Sequence, residues 1–412
     1  MTPTTPEIPV VLAEPVTVPD RAAVRGRAAA VPLLGGRASA MALVLAMFVE
    51  AVGYGMVAPT LPFMARAAGG GPRSIGFLVG LYAAVGLVAG VPFGIVANRY
   101  GPRALILLGL ACLTVSSFGF VLAPTYFWLV AARFTQGFGA SGIWVGGLTL
   151  AANLSPDESM GRSLAWITGS WSLGFVVGPA LGGLGSVRFP FIIYAGLSGA
   201  AFLVGLAWLP DIGRAGGRTT LGGIIRVFRH PAVLTSAAAT FAMAFYYGTV
   251  EAFLPLMVAG TNVGRAGIGL LFAVAGLPSI LLPGVAGGLA DRIGDRRMIL
   301  WGLLFAAGLN AFFLSMFGMA PLWLLFLLVG LVEVLIYVPA VALLNRGMPP
   351  ADRAFATGSH SYAFSSGFFL GPLLGGVLLP LGGYRLLFAT LTMAMLAGAF
   401  VVLGDRSRSV SA

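Results

Sequence analysis

The segment Gly94-Ile-Val-Ala-Asn98-Arg99-Tyr-Gly101-Pro102-Arg103 joins two long apolar stretches, and it recurs 193 residues later as Gly287-Gly-Leu-Ala-Asp291-Arg292-Ile-Gly294-Asp-Arg296. Other ordered pairs keep the same offset without a gap: Tyr54-Gly55 with Tyr247-Gly248, Leu61-Pro62 with Leu254-Pro255, Ile75-Gly76 with Ile268-Gly269, and Gly178-Pro179 with Gly371-Pro372. Ordered matches at one offset indicate two parallel repeats. Such repeats, related by an axis along the membrane normal, are an architecture of transporters whose substrate site lies at the repeat interface near the midplane.

The composition is that of an integral membrane protein. Of 412 residues, 58% are hydrophobic and only 9% are charged, whereas a soluble domain has about 25% charged residues. The mean hydropathy is +0.96. A net charge of +11 would suggest nucleic-acid binding in a soluble chain. In a membrane chain the expected cause is an excess of basic residues in cytoplasmic loops, so no nucleic-acid partner is predicted.

Apolar segments long enough to span a bilayer determine the predicted organisation. A helix needs about 20 apolar residues to cross about 30 Å of hydrocarbon. Twelve segments qualify: 39–64, 75–97, 104–124, 126–151, 164–185, 190–210, 232–258, 267–290, 298–319, 322–345, 357–381 and 384–403. We therefore predict an all-α integral membrane protein of twelve transmembrane helices in two pseudo-symmetric six-helix bundles. The predicted parts are a disordered cytoplasmic tail, the N-terminal bundle, a basic cytoplasmic linker, the C-terminal bundle and a second cytoplasmic tail, at 1–37, 38–210, 211–231, 232–404 and 405–412.

The distribution of arginine predicts the orientation. All 24 basic residues are Arg. With the N-terminus in the cytoplasm, the cytoplasmic segments contain 18 of them, the external loops contain 5 when Arg385 at the start of the twelfth span is included, and Arg133 lies within a span. Because basic residues concentrate on the cytoplasmic side, both termini are predicted to be cytoplasmic. The predicted location is the cell membrane, inner or plasma, with multiple crossings.

Four motifs resemble those of the major facilitator superfamily. The loop at 94–103 looks like its signature loop, and Arg133-Phe-Thr-Gln136-Gly137-Phe-Gly139-Ala140 resembles its span-four motif. Gly174-Phe-Val-Val-Gly178-Pro179-Ala-Leu-Gly182-Gly183 resembles the span-five motif associated with its proton-driven exporters. The first span, Glu50 to Pro62, is similar to that of tetracycline efflux pumps and vesicular amine transporters, which usually have Asp where Glu50 stands.

Ionisable residues inside the predicted spans are the main functional candidates. Away from the span ends they are three acids and one base: Glu50, Glu251, Glu333 and Arg133. A charged side chain at the bilayer centre costs at least about 2.5–3.5 kcal/mol, so each needs a reason. Their spans are one, seven, ten and four, which line the central cavity in the resembled family. Glu50 and Glu333 each lie 11 residues into their spans, about 16 Å and close to the midplane.

We predict that Glu50, Arg133 and Glu333 couple transport to protons, since burial of a carboxylate favours its protonated form and a nearby cation opposes this. The alternatives are structural: a carboxyl group bonded to a neighbouring helix, or an internal Glu–Arg pair that holds spans together. Glu251 alternatively contacts interfacial water, and His360 is expected to cap or bridge helices.

Aromatic rings can stack on a cation, although most only pack. The predicted substrate-binding residues are Glu50, Glu251, Glu333, Trp144, Tyr246, Tyr247, Tyr337 and Tyr362.

The two arginine-rich loops are predicted to be conformational latches, in which an acid at a helix end bridges to Arg and a neighbouring helix. The residues concerned are Asn98, Arg99, Arg103, Asp291, Arg292 and Arg296. Asn98 stands where the resembled family normally has an acid. The stronger latch is therefore expected in the second half, between Asp291 and Arg292 or Arg296. Close helix packing and helix bends are predicted at Gly174, Gly178, Pro179, Gly371 and Pro372.

The leading functional prediction is a secondary active transporter: a proton-coupled exporter of small amphipathic or lipophilic compounds, cations among them, by alternating access. The excess of acids over bases in the spans favours a cation or zwitterion. One alternative is a proton-coupled importer of a small metabolite; another is a non-transporting sensor or lipid scramblase.

The sequence has no Walker-type phosphate loop, no Cys/His metal cluster and no supported Ser–His–Asp grouping, so no enzyme, cofactor or metal is predicted. The expected partners are a small-molecule substrate, protons and membrane lipid, and the expected state is a monomer.

Overall fold

The computed structural model describes residues 33–154, 160–211, 230–316, 321–348 and 353–404. Within these ranges the chain is helical and contains no β-strand, so the all-α class is confirmed. Parts of the predicted tails and linker lie outside the described residues, namely 1–32, 212–229 and 405–412.

The described part of the chain contains thirteen helices. Those of the first half are α1 (Leu33–Gly55), α2 (Leu61–Ala67), α3 (Pro72–Tyr100), α4 (Pro102–Leu122), α5 (Tyr126–Leu154), α6 (Met160–Gly182) and α7 (Phe189–Trp208). Those of the second half are α8 (Pro231–Val258), α9 (Arg265–Leu281), α10 (Pro283–Ile293), α11 (Asp295–Met316), α12 (Leu322–Gly347) and α13 (Arg353–Gly404).

Three of these elements show that the predicted spans are not all straight helices. The first predicted span corresponds to α1 and α2, which are separated by residues 56–60. The eighth corresponds to α9 and α10, which are bent by 53° where Pro283 begins α10. The last two lie within α13, which is interrupted at Gly382 and Gly383. Gly383 has a φ of 63°, a conformation that glycine adopts without steric cost.

Seven of the described helices are long and apolar enough to cross a membrane, or eight if the bent pair α9 and α10 counts as one span. These helices are apolar all round, as expected for segments that contact lipid on one side and other helices on the opposite side. The total of twelve crossings stays a prediction.

The sequence repeat is matched by a repeated backbone turn. Gly101 separates α3 from α4, and Gly294 separates α10 from α11, with φ angles of 84° and 91°. Only a residue without a Cβ atom adopts such angles readily, which explains glycine at both positions. The two ends of the bundle are named here by their turns. The first face bears the turns at 68–71, 183–188 and 259–264. The second face is the opposite end, which bears the turns at Gly101 and Gly294.

Two close helix contacts join the halves near the first face. A Cβ atom at Gly76 in α3 would overlap the carbonyl oxygen of Pro372 in α13. A Cβ atom at Gly269 in α9 would overlap the carbonyl oxygen of Pro179 in α6. Small residues allow helix backbones to approach this closely in a membrane protein. The two halves are therefore closed against each other at the first face.

The residues predicted for close packing also meet neighbouring helices within each half. A Cβ atom at Gly174 or Gly178 would clash with the α1 backbone, at Phe48 and Val52 respectively. A Cβ atom at Gly371 would overlap the carbonyl oxygen of Phe245 in α8. These contacts place α6 against α1 and α13 against α8.

Candidate functional site

Glu50 is the centre of a buried hydrogen-bonded group formed by three helices. Its side chain lies in α1 and is 2% exposed. Tyr82 of α3 donates its hydroxyl proton to Glu50 Oε1, and Trp171 of α6 donates Nε1–H to Glu50 Oε2 at 2.8 Å. Both carboxylate oxygens are therefore bonded by neutral donors. No described basic side chain forms an ion pair with Glu50.

Arg133 lies close to this group and contacts it through the aromatic ring of Tyr82. The fully buried guanidinium of Arg133 has its central carbon 4.7 Å from the centre of the Tyr82 ring, a distance typical of cation–π contacts. Its Nη1 donates to Gln136 Oε1 at 2.7 Å, and its Nη2 donates to the carbonyl oxygen of Val79 at 3.2 Å. Gln136 in turn donates to the carbonyl oxygen of Gly53 at 3.1 Å. Arg133 thus connects α5 to α3 and, through Gln136, to α1.

The two acids of the second half differ from Glu50 because they have unpaired oxygens. Glu251 is 7% exposed, and its Oε1 has no hydrogen-bond partner among the described residues. The same holds for Oε2 of the half-buried Glu333. A buried acceptor without a partner costs about 1–3 kcal/mol. Arg133 and Tyr54 both lie close enough to Glu251 to interact with its charge.

Aromatic rings fill the space between the two halves around Tyr54. The Tyr54 ring centre lies 5.5 Å from that of Tyr82 and 6.0 Å from that of Trp171. It lies 5.7 Å from the ring centres of both Phe175 and Phe368. Phe368 belongs to α13 and the other rings belong to the first half. Tyr54 therefore contacts both halves beside Glu50.

The aromatic residues predicted to bind substrate occupy different environments. The Trp144 ring centre is 5.9 Å from that of Trp171, so Trp144 lies next to the Glu50 group. Tyr246 is fully buried within the second half, and Tyr247 donates its hydroxyl to the carbonyl oxygen of Val329 at 3.0 Å. The two most exposed of the set are Tyr337 and Tyr362, at 37% and 38%.

His360 connects α13 to α8 inside the second half. Its Nδ1 lies 3.1 Å from both Ser236 Oγ and Thr240 Oγ1. Its ring centre is 5.1 Å from that of Tyr337 in an edge-on arrangement. Its Nε2 is buried, with no hydrogen-bond partner among the described residues. The expected bridging role of His360 is compatible with these contacts.

The latch region of the second half has a partner that the sequence analysis did not name. Asp291 pairs with Arg346 at the end of α12, whereas Arg292 and Arg296 were the expected partners. Arg346 also pairs with Asp295 at 3.3 Å. Burial raises the pKa of Asp295, and Arg346 opposes this rise. Arg346 was missed because it is 55 residues from Asp291 in sequence.

The equivalent region of the first half is held differently. Arg103 Nη2 donates to the carbonyl oxygen of Leu206 at 2.7 Å and so joins α4 to the end of α7. The Arg99 guanidinium lies 5.4 Å from the ring centre of the neighbouring Tyr100. Asn98 is in α3, but its side chain lies outside the described part of the structure.

The first face has a polar contact between the halves that the sequence analysis also missed. Arg265 at the start of α9 donates to the carbonyl oxygen of Leu184 at 3.0 Å and to that of Gly185. These carbonyls follow the end of α6. Helix C-terminal carbonyls lack partners within their own helix and are favourable sites for a cation. The described residues include no group of three or more His, Cys, Asp or Glu that could hold a metal ion.

Comparison with known proteins relates both the sequence and the fold to transporters. The family model described as Major Facilitator Superfamily matches residues 43–262 and 236–411. The chain is 30% identical over 283 residues to the tetracycline resistance protein, class G, of Vibrio anguillarum, which covers 65% of this chain and 72% of that protein. It is 24% identical to multidrug resistance protein 1 of Bacillus subtilis, over 85% of this chain and 92% of that one. It is 23% identical to the quinolone resistance protein NorA of Staphylococcus aureus, over 87% and 94%.

Solved structures show the same fold at lower sequence identity. A POT family transporter in complex with 5-aminolevulinic acid superposes with a TM-score of 0.75 at 15% identity, over 88% of this chain and 95% of that one. A mutant form of the nucleoside transporter NupG superposes with a TM-score of 0.70 at 14% identity, over 89% of this chain and 100% of that one. At these identities the likeness concerns the fold alone.

Proposed function

Because the chain belongs to the major facilitator superfamily, we propose that this multi-pass membrane transporter is a proton-coupled exporter of small amphipathic or lipophilic compounds, cations among them. The relatives are transporters rather than enzymes. Export is supported by their names, which describe resistance to tetracycline, to multiple drugs and to quinolones. Each proton that enters would supply about 2.3 kcal/mol per 100 mV of membrane potential, in addition to the pH gradient.

The proposed topology has twelve crossings, with bundles at 38–210 and 232–404, a cytoplasmic linker at 211–231 and cytoplasmic tails at 1–37 and 405–412. The arginine distribution supports this orientation. It makes the first face external and the second face cytoplasmic. The contacts between α3 and α13 and between α6 and α9 then close the external side, which corresponds to a transporter whose substrate site faces inward.

The observation that supports proton coupling most directly is the environment of Glu50. A deprotonated carboxylate accepts both the Tyr82 and the Trp171 hydrogen bonds, as in the structure. A protonated carboxyl group has an O–H that must be donated. The indole N–H of Trp171 can only donate, whereas the Tyr82 hydroxyl can also accept. Protonation of Glu50 therefore reverses the Tyr82 hydrogen bond and changes the contact between α1 and α3.

Arg133 is positioned to transmit this change to the second half. Its guanidinium lies over the Tyr82 ring, so a movement of Tyr82 alters the contact of this buried basic side chain. The same guanidinium interacts electrostatically with Glu251. We assign to Arg133 the role of coupling protonation of Glu50 to the charge state of Glu251 and Glu333.

The proposed substrate site lies between the halves, at Glu251 and Glu333 and the rings around Tyr54. The unpaired oxygens of the two acids are suited to accept hydrogen bonds from a protonated amine, and the rings provide cation–π contacts. Trp144 lies at the edge of this site, where its ring packs against that of Trp171. The remaining proposed substrate contacts, from the second half, are Tyr246, Tyr247, Tyr337 and Tyr362.

Asp291, Asp295 and Arg346 form a cluster of ion pairs that we call the second-face latch. We propose that it holds the cytoplasmic ends of α10, α11 and α12 together. Arg346 bridges Asp291 and Asp295. If the helix ends separate when the transporter switches, both pairs break. The latch then biases the equilibrium between the two conformers without contacting substrate.

Proton exchange in inverted membrane vesicles tests the proposal. Respiration establishes a pH gradient, compounds are added in turn, and a fluorescent pH probe reports dissipation. The panel includes tetracyclines, quinolones, lipophilic amines, sugars and lipids. We expect a cationic or zwitterionic drug to dissipate the gradient with the unmodified protein and not with Glu50→Gln. Asp211→Asn is the matched control, since Asp211 is an exposed acid outside the site.

Any of three results would contradict the proposal. Full pH-driven transport by Glu50→Gln would show that Glu50 is not the proton site. Accumulation of a metabolite in the opposite direction would establish the importer. Lipid movement that Glu50→Gln leaves unchanged would support the scramblase instead.

A further inference from the structure

A large apolar groove lies on the first half, away from the interface between the halves. Its volume is about 890 Å³, within the range of about 300–1,000 Å³ typical of small-molecule sites. It runs between α1 and α6 beside the end of α5. The residues that define it are Arg37, Met41, Val44, Phe48, Trp166 and Leu173. All of its lining residues belong to the first half, and neither Glu50 nor any aromatic residue of the proposed substrate site is among them.

The length of the groove matches one leaflet of a bilayer. Arg37 and Phe48 are 11 residues apart in α1, which corresponds to about 16 Å along a helix. Half of the hydrocarbon core of a bilayer is about 15 Å thick. Arg37 lies at the end of the groove nearest the second face, and Phe48 lies toward the middle of the bundle. The groove therefore has the length of a lipid chain in one leaflet.

The polarity of the groove is complementary to that of an anionic amphiphile. Its lining is apolar except for Arg37 and Ser170. Met41, Trp166 and Leu173 are 64%, 68% and 50% exposed, so the groove is open to the hydrocarbon of a surrounding membrane. Arg37 is exposed, and the described residues include no hydrogen-bond or ion-pair partner for it. A single cation at the polar end of an apolar groove attracts a phosphate and repels a cationic drug.

We propose that this groove binds one anionic phospholipid of the leaflet at the second face, with its phosphate at Arg37 and an acyl chain between α1 and α6. The assignment of this leaflet to the cytoplasmic side rests on the proposed topology. Binding itself does not depend on the transport that we propose.

The groove shares its walls with the Glu50 site. Ser170 lines the groove, and the next residue, Trp171, donates to Glu50 at 2.8 Å. Phe48 lines the groove from α1, two residues before Glu50. An acyl chain in the groove therefore packs against residues adjacent to both partners of the Trp171–Glu50 hydrogen bond. Bound lipid is thereby expected to affect proton coupling without touching the carboxylate.

Photocrosslinking tests the site directly on the full-length protein in nanodiscs. The probes are phosphatidylglycerol and phosphatidylcholine that carry the same diazirine-labelled acyl chain. We expect phosphatidylglycerol to label peptides of α1 and α6 preferentially. Arg37→Gln is expected to lower this preference roughly five-fold, as for loss of one basic residue near an anionic head group. Arg73→Gln is the matched control, because Arg73 is an exposed arginine at the opposite face.

A groove-filling variant, Val44→Trp, provides a second and independent measurement. We expect it to abolish labelling of α1 and α6 by either lipid, while size-exclusion chromatography verifies that it is folded. Equal labelling by both lipids, unaffected by Arg37→Gln, would overturn the proposal, because the head group would then not be recognised. Displacement of the lipid by a transported cationic drug would also overturn it, since the groove would then be a substrate site. If vesicle assays detect no proton antiport but the head-group preference persists, the lipid site stands and the proposed function fails.

Discussion

Trp171 donates a hydrogen bond of 2.8 Å to the carboxylate of Glu50, although the two residues are 121 positions apart in the sequence. This bond joins α6 to α1 at the level of the proposed proton site. Tyr82 completes the arrangement from α3. The carboxylate is therefore part of the packing of three helices, and a change in its protonation affects all of them.

Trp171→Phe removes the indole N–H but keeps an aromatic ring against Phe175. A hydrogen bond to a charged group contributes about 1.5–3 kcal/mol. We therefore expect a decrease in proton-coupled transport of about ten-fold or more, with little change in the amount of folded protein. The vesicle assay measures it, with Trp301→Phe as the control because Trp301 is 65% exposed on α11. Unchanged coupling in Trp171→Phe would mean that the bond has no role in the proton site.

Tyr82→Phe separates the two contacts of the Tyr82 side chain. The ring that lies under Arg133 remains, whereas the hydroxyl that bonds Glu50 is lost. We expect Tyr82→Phe and Glu50→Gln to be non-additive, because both abolish the hydrogen bond that the Tyr82 hydroxyl donates to a charged carboxylate. A double-mutant cycle on transport rates measures this, and strictly additive effects would contradict the proposed connection.

Gly76→Ala is expected to weaken closure at the first face. Its methyl group would overlap the carbonyl oxygen of Pro372, whereas a Cβ atom at Gly90 in the same helix meets nothing within 4 Å. Gly90→Ala is thus the matched control, and it is expected to be neutral or slightly stabilising because alanine favours helix. Labelling of cysteines introduced at the first face measures the opening. Equal labelling in the two variants would show that α3 and α13 do not form the closed contact.

Arg346→Gln tests the second-face latch through its pH dependence. Burial raises the pKa of Asp295, and Arg346 acts against this rise, so Arg346→Gln should raise the pKa further. A native pKa above the unfolded value means that the stabilising contribution is complete below the unfolded pKa and is lost as pH rises through the native pKa. We therefore expect this loss to move to higher pH in Arg346→Gln. Unfolding midpoints from acidic to neutral pH measure the shift, with Arg297→Gln as a control on the same loop.

His360→Asn tests whether His360 is a structural bridge. Ser236 donates its hydroxyl proton to the carbonyl oxygen of Ala340 at 3.0 Å, so its oxygen is free to accept from Nδ1–H of His360. An Asn amide can supply a similar donor, whereas Leu cannot. We expect His360→Asn to retain transport and most of the stability, and His360→Leu to lose about 1–3 kcal/mol because the buried Ser236 and Thr240 hydroxyls lose their contact with Nδ1. Loss of proton coupling in His360→Asn with native stability would instead indicate a functional imidazole.

Backbone features of this fold follow from the sequence more directly than side-chain contacts do. The positions of the helices could be predicted because a backbone in lipid must satisfy its own hydrogen bonds locally, and the predicted spans coincide with helices. The turns at Gly101 and Gly294 could be expected because the requirement for glycine is a property of one residue. The breaks inside the first and eighth predicted spans were not anticipated, because the hydropathy that identifies a span does not show where its helix is interrupted.

The contacts of the charged residues could not be predicted in the same way. The sequence singled out Glu50, Arg133, Glu251 and Glu333 because a charge in a span is unusual wherever it points. It did not identify Tyr82 and Trp171 as the donors to Glu50, or Arg346 as the partner of Asp291. Those partners are 32, 121 and 55 residues away, respectively.

The sequence by itself determined the family, the two repeats, the helical segments and the few charged groups that require an explanation. The tertiary structure decided which faces of these helices meet, and hence that Glu50 is bonded by neutral donors while Arg133 approaches it only through the Tyr82 ring. The physical reason is that a membrane helix has apolar residues toward both lipid and protein. Its rotation leaves little periodic signal in the sequence and is set by packing against its neighbours.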